Sequence, residues 1–104
     1  MQSEVLKGHV GLLLLAVLER EPAHGYRVVD LLRSRSGGAF DLAEGTVYPA
    51  LYRLERGGLI ASRWEVVDGR RRRVYRLTRR GRAALDRRKH SWFEFADAVQ
   101  GVLA

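Results

Sequence analysis

Arginines and tyrosines are the side chains in this 104-residue sequence whose types and spacing could do chemistry, and that chemistry is the binding of an anion. Residues 53–89 hold fourteen Arg and Lys against four Asp and Glu, a local charge of +10, whereas the remainder carries −3. Such an asymmetry is expected of a surface that neutralises phosphates. It favours a nucleic-acid partner over a merely solvated basic face, although an arginine-rich composition could also reflect a GC-rich genome.

The first candidate binding segment is GTVYPALYRLERGGLI at residues 45–60, which predicts a short amphipathic helix ended by glycines. Val47, Leu51 and Leu54 recur at helical spacing and form an inward stripe. Pro49 requires that this helix begin close to residue 46. The outward side carries candidate contacts to base edges and phosphates in a DNA major groove: Thr46, Tyr48, Tyr52, Arg53 and Arg56. The alternative is an ordinary amphipathic surface helix.

The second candidate is a basic hairpin. The dipeptide Asp68-Gly69 is a strong β-turn signal between strands expected at residues 59–67 and 72–78. Successive residues of a strand point to opposite sides, so we expect half of the following arginines to face a DNA backbone or minor groove. These candidates are Arg70, Arg71, Arg72 and Arg73. The alternative is a solvated loop tip.

The remaining elements must position these two segments. The pattern predicts an apolar helix over residues 3–20, a second helix over 23–36, and a short strand or extended linker at 40–42. The predicted fold is mainly α with a small β-hairpin, a winged helix-turn-helix in residues 1–78. A long C-terminal helix in residues 79–104 follows, and its apolar stripe is too large for a lone terminal helix. We therefore expect this helix to form a symmetric homodimer.

Aromatic residues on this last helix permit two interpretations. They either pack the dimer interface or flank an apolar pocket between subunits that takes a small aromatic ligand. The residues assigned to this interface or pocket are Leu12, Leu15, Leu85, Trp92, Phe93, Phe95, Ala96 and Val99.

Other classes of function lack support in the sequence. There is no cysteine, and the three histidines are scattered without metal-ligand spacing. No nucleophile with an acid–base partner and no phosphate-binding glycine loop is present, so we expect no enzyme, no metal and no cofactor. The apolar run at residues 10–18 is too short to span a bilayer, which takes about 20 residues. We expect a cytoplasmic protein that does not bind membranes.

The assembled motifs closely resemble the PadR family of bacterial transcriptional regulators. The matching pieces are His24-Gly25-Tyr26, the run Gly45–Glu55, Gly58-Leu59-Ile60, and Arg73–Thr78 followed by Gly81. The resemblance implies a homodimeric, usually repressive regulator that binds a palindromic operator in double-stranded DNA and is released by small aromatic or amphipathic compounds. Four consecutive arginines exceed the one or two basic residues usual in the family's wing.

The short C-terminal part resembles the small members of the family, which dimerise through one terminal helix. Some of these bind flat drugs at the dimer interface beside an aromatic residue, a place that Trp92 would take. The competing hypothesis is a winged-helix module for protein interaction and dimerisation that responds to no ligand. The +10 segment argues against that alternative.

Overall fold

A computed structural model describes residues 6–104, and its four helices and three strands form a winged helix-turn-helix with a long terminal helix. In chain order the elements are α1 (Val10–Arg20), β1 (Ala23–His24), α2 (Gly25–Arg35), α3 (Glu44–Arg56), β2 (Ile60–Val67), β3 (Arg70–Leu77) and α4 (Arg79–Leu103). The strands form one antiparallel sheet in the order β1-β3-β2. The predicted fold class is confirmed.

The core lies among α1, α2, α3 and the sheet. Its fully buried side chains come from all these elements and from the start of α4: Leu14, Leu15, Val28, Val47, Leu51, Ile60 and Leu85. Helix α1 is buried on most of its circumference, but Leu12, Leu13 and Ala16 are only partly covered. This partly covered side of α1 faces the region where α4 leaves the core.

Several predicted boundaries differ from the structure. Residues 6 and 7 are helical, but Gly8 and His9 form a turn that interrupts the predicted helix, so α1 begins at Val10; the predicted start at residue 3 lies outside the described residues. Residues 40–42 form the extended linker rather than a strand. Residues 23 and 24 are a strand, because their backbones pair with Tyr75 and Val74 of β3. Helix α2 therefore begins two residues later than predicted.

Helix α3 also begins earlier than its proline suggested. It starts at Glu44, so Pro49 is the sixth helical residue and lies beyond the first turn. The helix thus begins two residues before residue 46, and the missing N–H of Pro49 does not fall among the unpaired first-turn donors as expected. Pro49 leaves the carbonyl of Gly45 without its usual i+4 donor. Because Gly45 is exposed, water can take that place.

The Asp68-Gly69 turn is confirmed. Both residues have positive φ, 52° and 76°, and the flanking residues Val67 and Arg70 pair directly. This is the geometry of a two-residue type I′ hairpin, whose twist matches that of the strands. The turn thus fixes the register of two eight-residue strands.

Helices α3 and α4 are joined through their ends. Gly58, at a φ of 78°, ends α3, and the Leu59 N–H donates to the Leu54 carbonyl at 3.0 Å. The Thr78 hydroxyl donates to the Gly58 carbonyl at 2.7 Å and accepts from the Gly81 N–H at 3.0 Å. The end of α3 is therefore linked to the cap of α4.

Helix α4 has buried residues only at its beginning. Its buried residues are Gly81, Ala84 and Leu85, all in the first two turns. The part from Asp86 onward extends along and beyond α1. The first turns of α4 contribute to the same core as residues 6–78. The division into a DNA-binding segment 1–78 and a dimerisation segment 79–104 stays a prediction.

Candidate nucleic-acid interface

Helix α3 has one buried and one exposed side. The predicted inward residues Val47, Leu51 and Leu54 are buried, and Ala50 joins them. On the opposite side Thr46, Arg53 and Arg56 are exposed, and Tyr52 exposes 60% of its surface. The guanidinium of Arg56 lies 5.9 Å from the centre of the Tyr52 ring. The helix therefore presents a ridge of polar and aromatic side chains to solvent.

Tyr48 differs from its exposed neighbours because its ring packs against α2. The ring lies so close to Gly25 that a Cβ at that position would overlap it. Burial raises the pKa of the Tyr48 phenol above its ordinary value, with Glu44 adding to the effect. Gly25 of the His-Gly-Tyr motif is thereby explained as the site where the ring of Tyr48 crosses α2.

The two faces of the hairpin differ in what they contact. The register places Ile60, Ser62, Trp64 and Val66 on the same face as the β3 residues Leu77, Tyr75, Arg73 and Arg71. Ile60 and Tyr75 are buried, so this face packs on the helices at its base. Arg70 and Arg72 belong to the other face. The predicted alternation of the four arginines therefore divides them into two pairs.

Aromatic rings support three of these arginines. The guanidinium groups of Arg71 and Arg73 lie 5.3 Å and 5.6 Å from the Trp64 ring centre. On the other face, Arg72 lies 5.4 Å from the ring centre of Tyr26 in α2. At such distances a cation is attracted to the electron-rich ring face. The hairpin thus holds its arginines in place before any partner binds.

The positive charge on this surface is largely uncompensated. Among residues 6–104, no carboxylate lies within 4.0 Å of the guanidinium groups of Arg53, Arg56, Arg70, Arg71 and Arg72. Two other arginines of the hairpin are paired: Glu65 contacts Arg63 at 3.0 Å and Arg76 at 3.1 Å. Hydrogen bonds from these two arginines hold the pKa of Glu65 below its usual value. Two arginines of α3 and three of the hairpin therefore carry charge that no carboxylate in this range offsets.

A second surface lies between α1 and α4. Trp92 of α4 packs edge-on against His9, with ring centres 5.0 Å apart, and lies 6.2 Å from Phe95. Lys89 donates to Glu19 at 2.9 Å and ties the two helices together. An open apolar groove of about 510 Å³ runs beside Trp92, and its lining includes Leu12, Leu13, Ala16, Phe40 and Phe93.

Comparison with known proteins decides the family. The model of the transcriptional regulator PadR-like family matches residues 14–87, which include α2, α3 and the whole hairpin. The chain belongs to the PadR family. It is therefore a transcriptional regulator of this family, which implies regulation through DNA binding.

Individual PadR relatives agree with this assignment. A transcriptional regulator from Mycobacterium tuberculosis is 46% identical over 78 residues, which cover 75% of this chain and 60% of that protein. A PadR family transcription regulator from Clostridium difficile R20291 is 32% identical, with a TM-score of 0.83 over 92% of this chain and 99% of that one. A transcriptional regulator from Clostridium thermocellum gives a TM-score of 0.87 at 26% identity, over 96% and 95%.

Two residues assigned to the interface or pocket of this PadR protein must be reassigned. Leu15 and Leu85 have no exposed surface and belong to the core of the single chain. They have none left for a ligand or a second subunit. The other six residues keep at least partial exposure along α1 and α4: Leu12, Trp92, Phe93, Phe95, Ala96 and Val99. Their assignment stays a prediction.

Sequence reasoning missed the residues that support the PadR wing. Trp64 and Tyr26 hold arginines, and Glu55 with Ser62 connects α3 to the hairpin. The contact of Trp64 was predictable from the sequence. The Asp68-Gly69 turn sets the register of the two strands and places this tryptophan opposite the arginine run, where a cation–π contact is expected. Tyr26 gave none, because its contact depends on how α2 packs beside β3.

Residues 6–104 contain neither a cluster of metal-binding side chains nor a membrane-spanning helix. No three His, Cys, Asp or Glu side chains there come together in a way that could hold a metal ion. No helix in the same range is long and apolar enough to cross a membrane.

Proposed function

We propose that this PadR protein is a homodimeric repressor that binds a palindromic operator and releases it when a small aromatic or amphipathic ligand binds. The observation that carries the DNA-binding part is the set of unpaired arginines on α3 and on the hairpin, two elements that contact each other. Arginines held apart from carboxylates are available to phosphates and base edges.

Helix α3 is the proposed recognition helix. Its exposed ridge would enter the major groove, where Arg53 and Arg56 reach guanine edges or phosphates and Tyr52 contacts bases or sugars. Thr46 would meet the backbone near the start of the helix, and Tyr48 would offer only the part of its ring that α2 leaves uncovered. The hairpin is the proposed wing, whose arginines Arg70 to Arg73 would hold the flanking backbone or minor groove.

The proposed dimer forms through α4. Its second half carries an apolar stripe that the described chain leaves partly or largely exposed: Trp92, Phe95, Ala96, Val99 and Leu103. Exposed apolar area of this kind marks a protein interface. A twofold dimer would place two recognition helices about 34 Å apart, one turn of DNA, and so read a palindrome.

The proposed ligand site is the groove beside Trp92. Its lining is almost entirely apolar, with His9 and Lys89 at its margin. Planar aromatic compounds should quench the fluorescence of Trp92 and reduce operator binding together. A Trp64→Phe background leaves Trp92 as the reporter of ligand binding, and operator release is measured with the parent because Trp64 contacts wing arginines. A panel of such compounds that neither quenches nor releases DNA would leave the aromatic residues with a packing role only.

The experiment that tests the DNA-binding proposal is selection of bound sequences from a random duplex pool. A palindromic motif with half-sites about one helical turn apart is the expected result, because the dimer would impose its symmetry on the DNA. A reporter gene with this motif in its promoter then separates repression from activation. Recovery of no sequence at moderate salt would instead support the winged-helix module for protein interaction.

A further inference from the structure

A chain of polar side chains joins the last turn of α3 to the base of the wing. The Ser62 hydroxyl of β2 donates to Oε2 of Glu55 at 2.6 Å. The same hydroxyl oxygen accepts from the Nε–H of Arg73 in β3 at 2.7 Å. The Nη2 atom of Arg73 lies 4.0 Å from the same Glu55 oxygen. One hydroxyl group therefore connects three elements.

The register explains why Ser62 can do this. Ser62 pairs with Tyr75 and Trp64 pairs with Arg73, so Ser62 is a diagonal neighbour of Arg73 on one face of the hairpin. A hydroxyl both donates and accepts, which this position requires, since its two partners are a carboxylate and a guanidinium. Both bonds involve a charged group and are stronger than neutral ones.

The contacts continue outward from Arg73 toward the tip of the wing. The Arg73 guanidinium lies over Trp64, and the same ring carries Arg71. Arg71 has no carboxylate partner among residues 6–104. The position of Arg71 therefore depends on the Trp64 ring. That ring contacts Arg73, which is bound by Ser62, which is bound to Glu55.

We infer that Ser62 is a positioning residue that fixes the orientation of the wing relative to the recognition helix and thereby places Arg71 for the DNA backbone. The inference rests on the proposed DNA interface and adds to it, because Ser62, Glu55 and Trp64 touch no DNA in that proposal. A two-stranded ribbon is marginally stable and twists easily, so its orientation on the body depends on contacts at its base. The recognition helix and the wing must contact the same duplex at the same time. The orientation of the wing relative to the helix therefore affects the affinity for DNA.

The competing account is a surface ion pair without consequence. Exposed ion pairs contribute little to stability, and the side chains of Arg73 and Glu55 keep 43% and 30% of their surface exposed. That account predicts that loss of the Ser62 hydroxyl changes neither DNA affinity nor its salt dependence.

The matched pair Ser62→Val and Ser62→Thr distinguishes the two accounts. Both side chains are β-branched and of similar shape, and only Thr restores the hydroxyl. Binding of the full chain to the selected duplex is measured across a salt titration, well below both unfolding midpoints. We expect Ser62→Val to bind at least about fivefold more weakly than Ser62→Thr, with a salt slope lower by about one phosphate. Equal affinities and slopes for the pair would overturn the inference.

A second measurement shows whether Ser62 acts through Arg71. In an Arg71→Ala background the Ser62→Val change should cost less than about twofold in affinity, because the group it positions is gone. An undiminished effect in that background would also overturn the inference, since Ser62 would then matter for stability or another contact. If the parent binds no duplex, the proposed function fails and this inference with it, whereas a parent that binds normally isolates the failure to Ser62.

Discussion

At the scale of single residues, the partition of arginines predicts two kinds of DNA-binding defect. Arg53 lies on the exposed side of α3 without a carboxylate partner, so Arg53→Ala should lower operator affinity by about tenfold and relax sequence specificity. Arg71 lies on the wing, so Arg71→Ala should weaken all duplexes about equally and lower the salt slope by about one. Electrophoretic mobility shifts with selected and random duplexes measure both effects.

Arg33→Ala is the matched control for these two variants. It removes the same charge from the end of α2, where Arg33 contacts Asp30 at 2.9 Å and Asp41 at 3.6 Å. Because its charge is already compensated, DNA binding should stay within about twofold of the parent. An equal loss in all three variants would mean that only net charge matters and that α3 and the wing have no distinct roles.

His24 predicts a pH dependence of stability. Its Nδ1 caps α2 by accepting the Arg27 N–H at 3.4 Å, which requires the unprotonated nitrogen. Burial lowers the pKa of His24 below 6.5, and the charge of Arg72 lowers it further. The unfolded chain therefore takes up a proton first as pH falls, so the free energy of unfolding should be maximal above about pH 6.5 and decrease below it.

The non-titrating cap variant His24→Asn isolates this contribution. Asparagine is also a good cap, so the variant should fold at pH 7 and lose less stability than the parent between pH 7 and 5. Urea unfolding at several pH values compares the two proteins. Parallel pH profiles would assign the acid sensitivity to other groups.

At the scale of elements, the contact between the start of α4 and the end of α3 predicts a strong glycine requirement. A Cβ on Gly81 would overlap the Leu59 carbonyl oxygen, so Gly81→Ala must push backbone apart. We expect a loss of about 1–3 kcal/mol in the free energy of unfolding. Gly101→Ala in the same helix has no atom within 4 Å of its new Cβ and should be neutral or stabilising by up to about 1 kcal/mol. Similar thermal midpoints for both variants would contradict the close approach.

Some of these helices, strands and turns could be predicted from the sequence and others could not. The turn at Asp68-Gly69 and the buried side of α3 follow from local rules, since two-residue turns and helical periodicity leave direct signals. Strand β1 left none, because two residues carry no period and their pairing depends on β3, fifty residues away. Leu15 and Leu85 were assigned to an interface for a related reason. The sequence pattern of an apolar residue is the same whether the residue is buried by its own chain or by a partner subunit.

The candidate DNA-binding site also has a part that the sequence could predict and a part that it could not. The arginines were predictable as cations, and alternation on a strand predicts that they point to two faces. Which ring holds which arginine was not predictable, because Tyr26 reaches Arg72 only through the packing of α2 beside the sheet. The hydroxyl of Ser62 likewise depends on the meeting of α3, β2 and β3.

At the scale of the whole molecule, the uncovered half of α4 predicts the assembly. Val99 lies on the apolar stripe, and a charge there would have to be desolvated in a helix-to-helix interface. Val99→Asp should therefore convert a dimer to a monomer at micromolar concentration in sedimentation experiments. Gly101→Asp, on the opposite and exposed side of the helix, should leave the dimer intact.

Dissociation should also weaken DNA binding without any change in α3 or the wing. A monomer reads one half-site, so Val99→Asp should bind the palindrome no more tightly than a duplex with a single half-site. Gly101→Asp should keep the preference for the full palindrome, and insertion of about five base pairs between half-sites should abolish that preference by turning one half-site to the far side of the duplex. If Val99→Asp stays dimeric and keeps the preference, the apolar stripe of α4 is not the surface through which two copies meet.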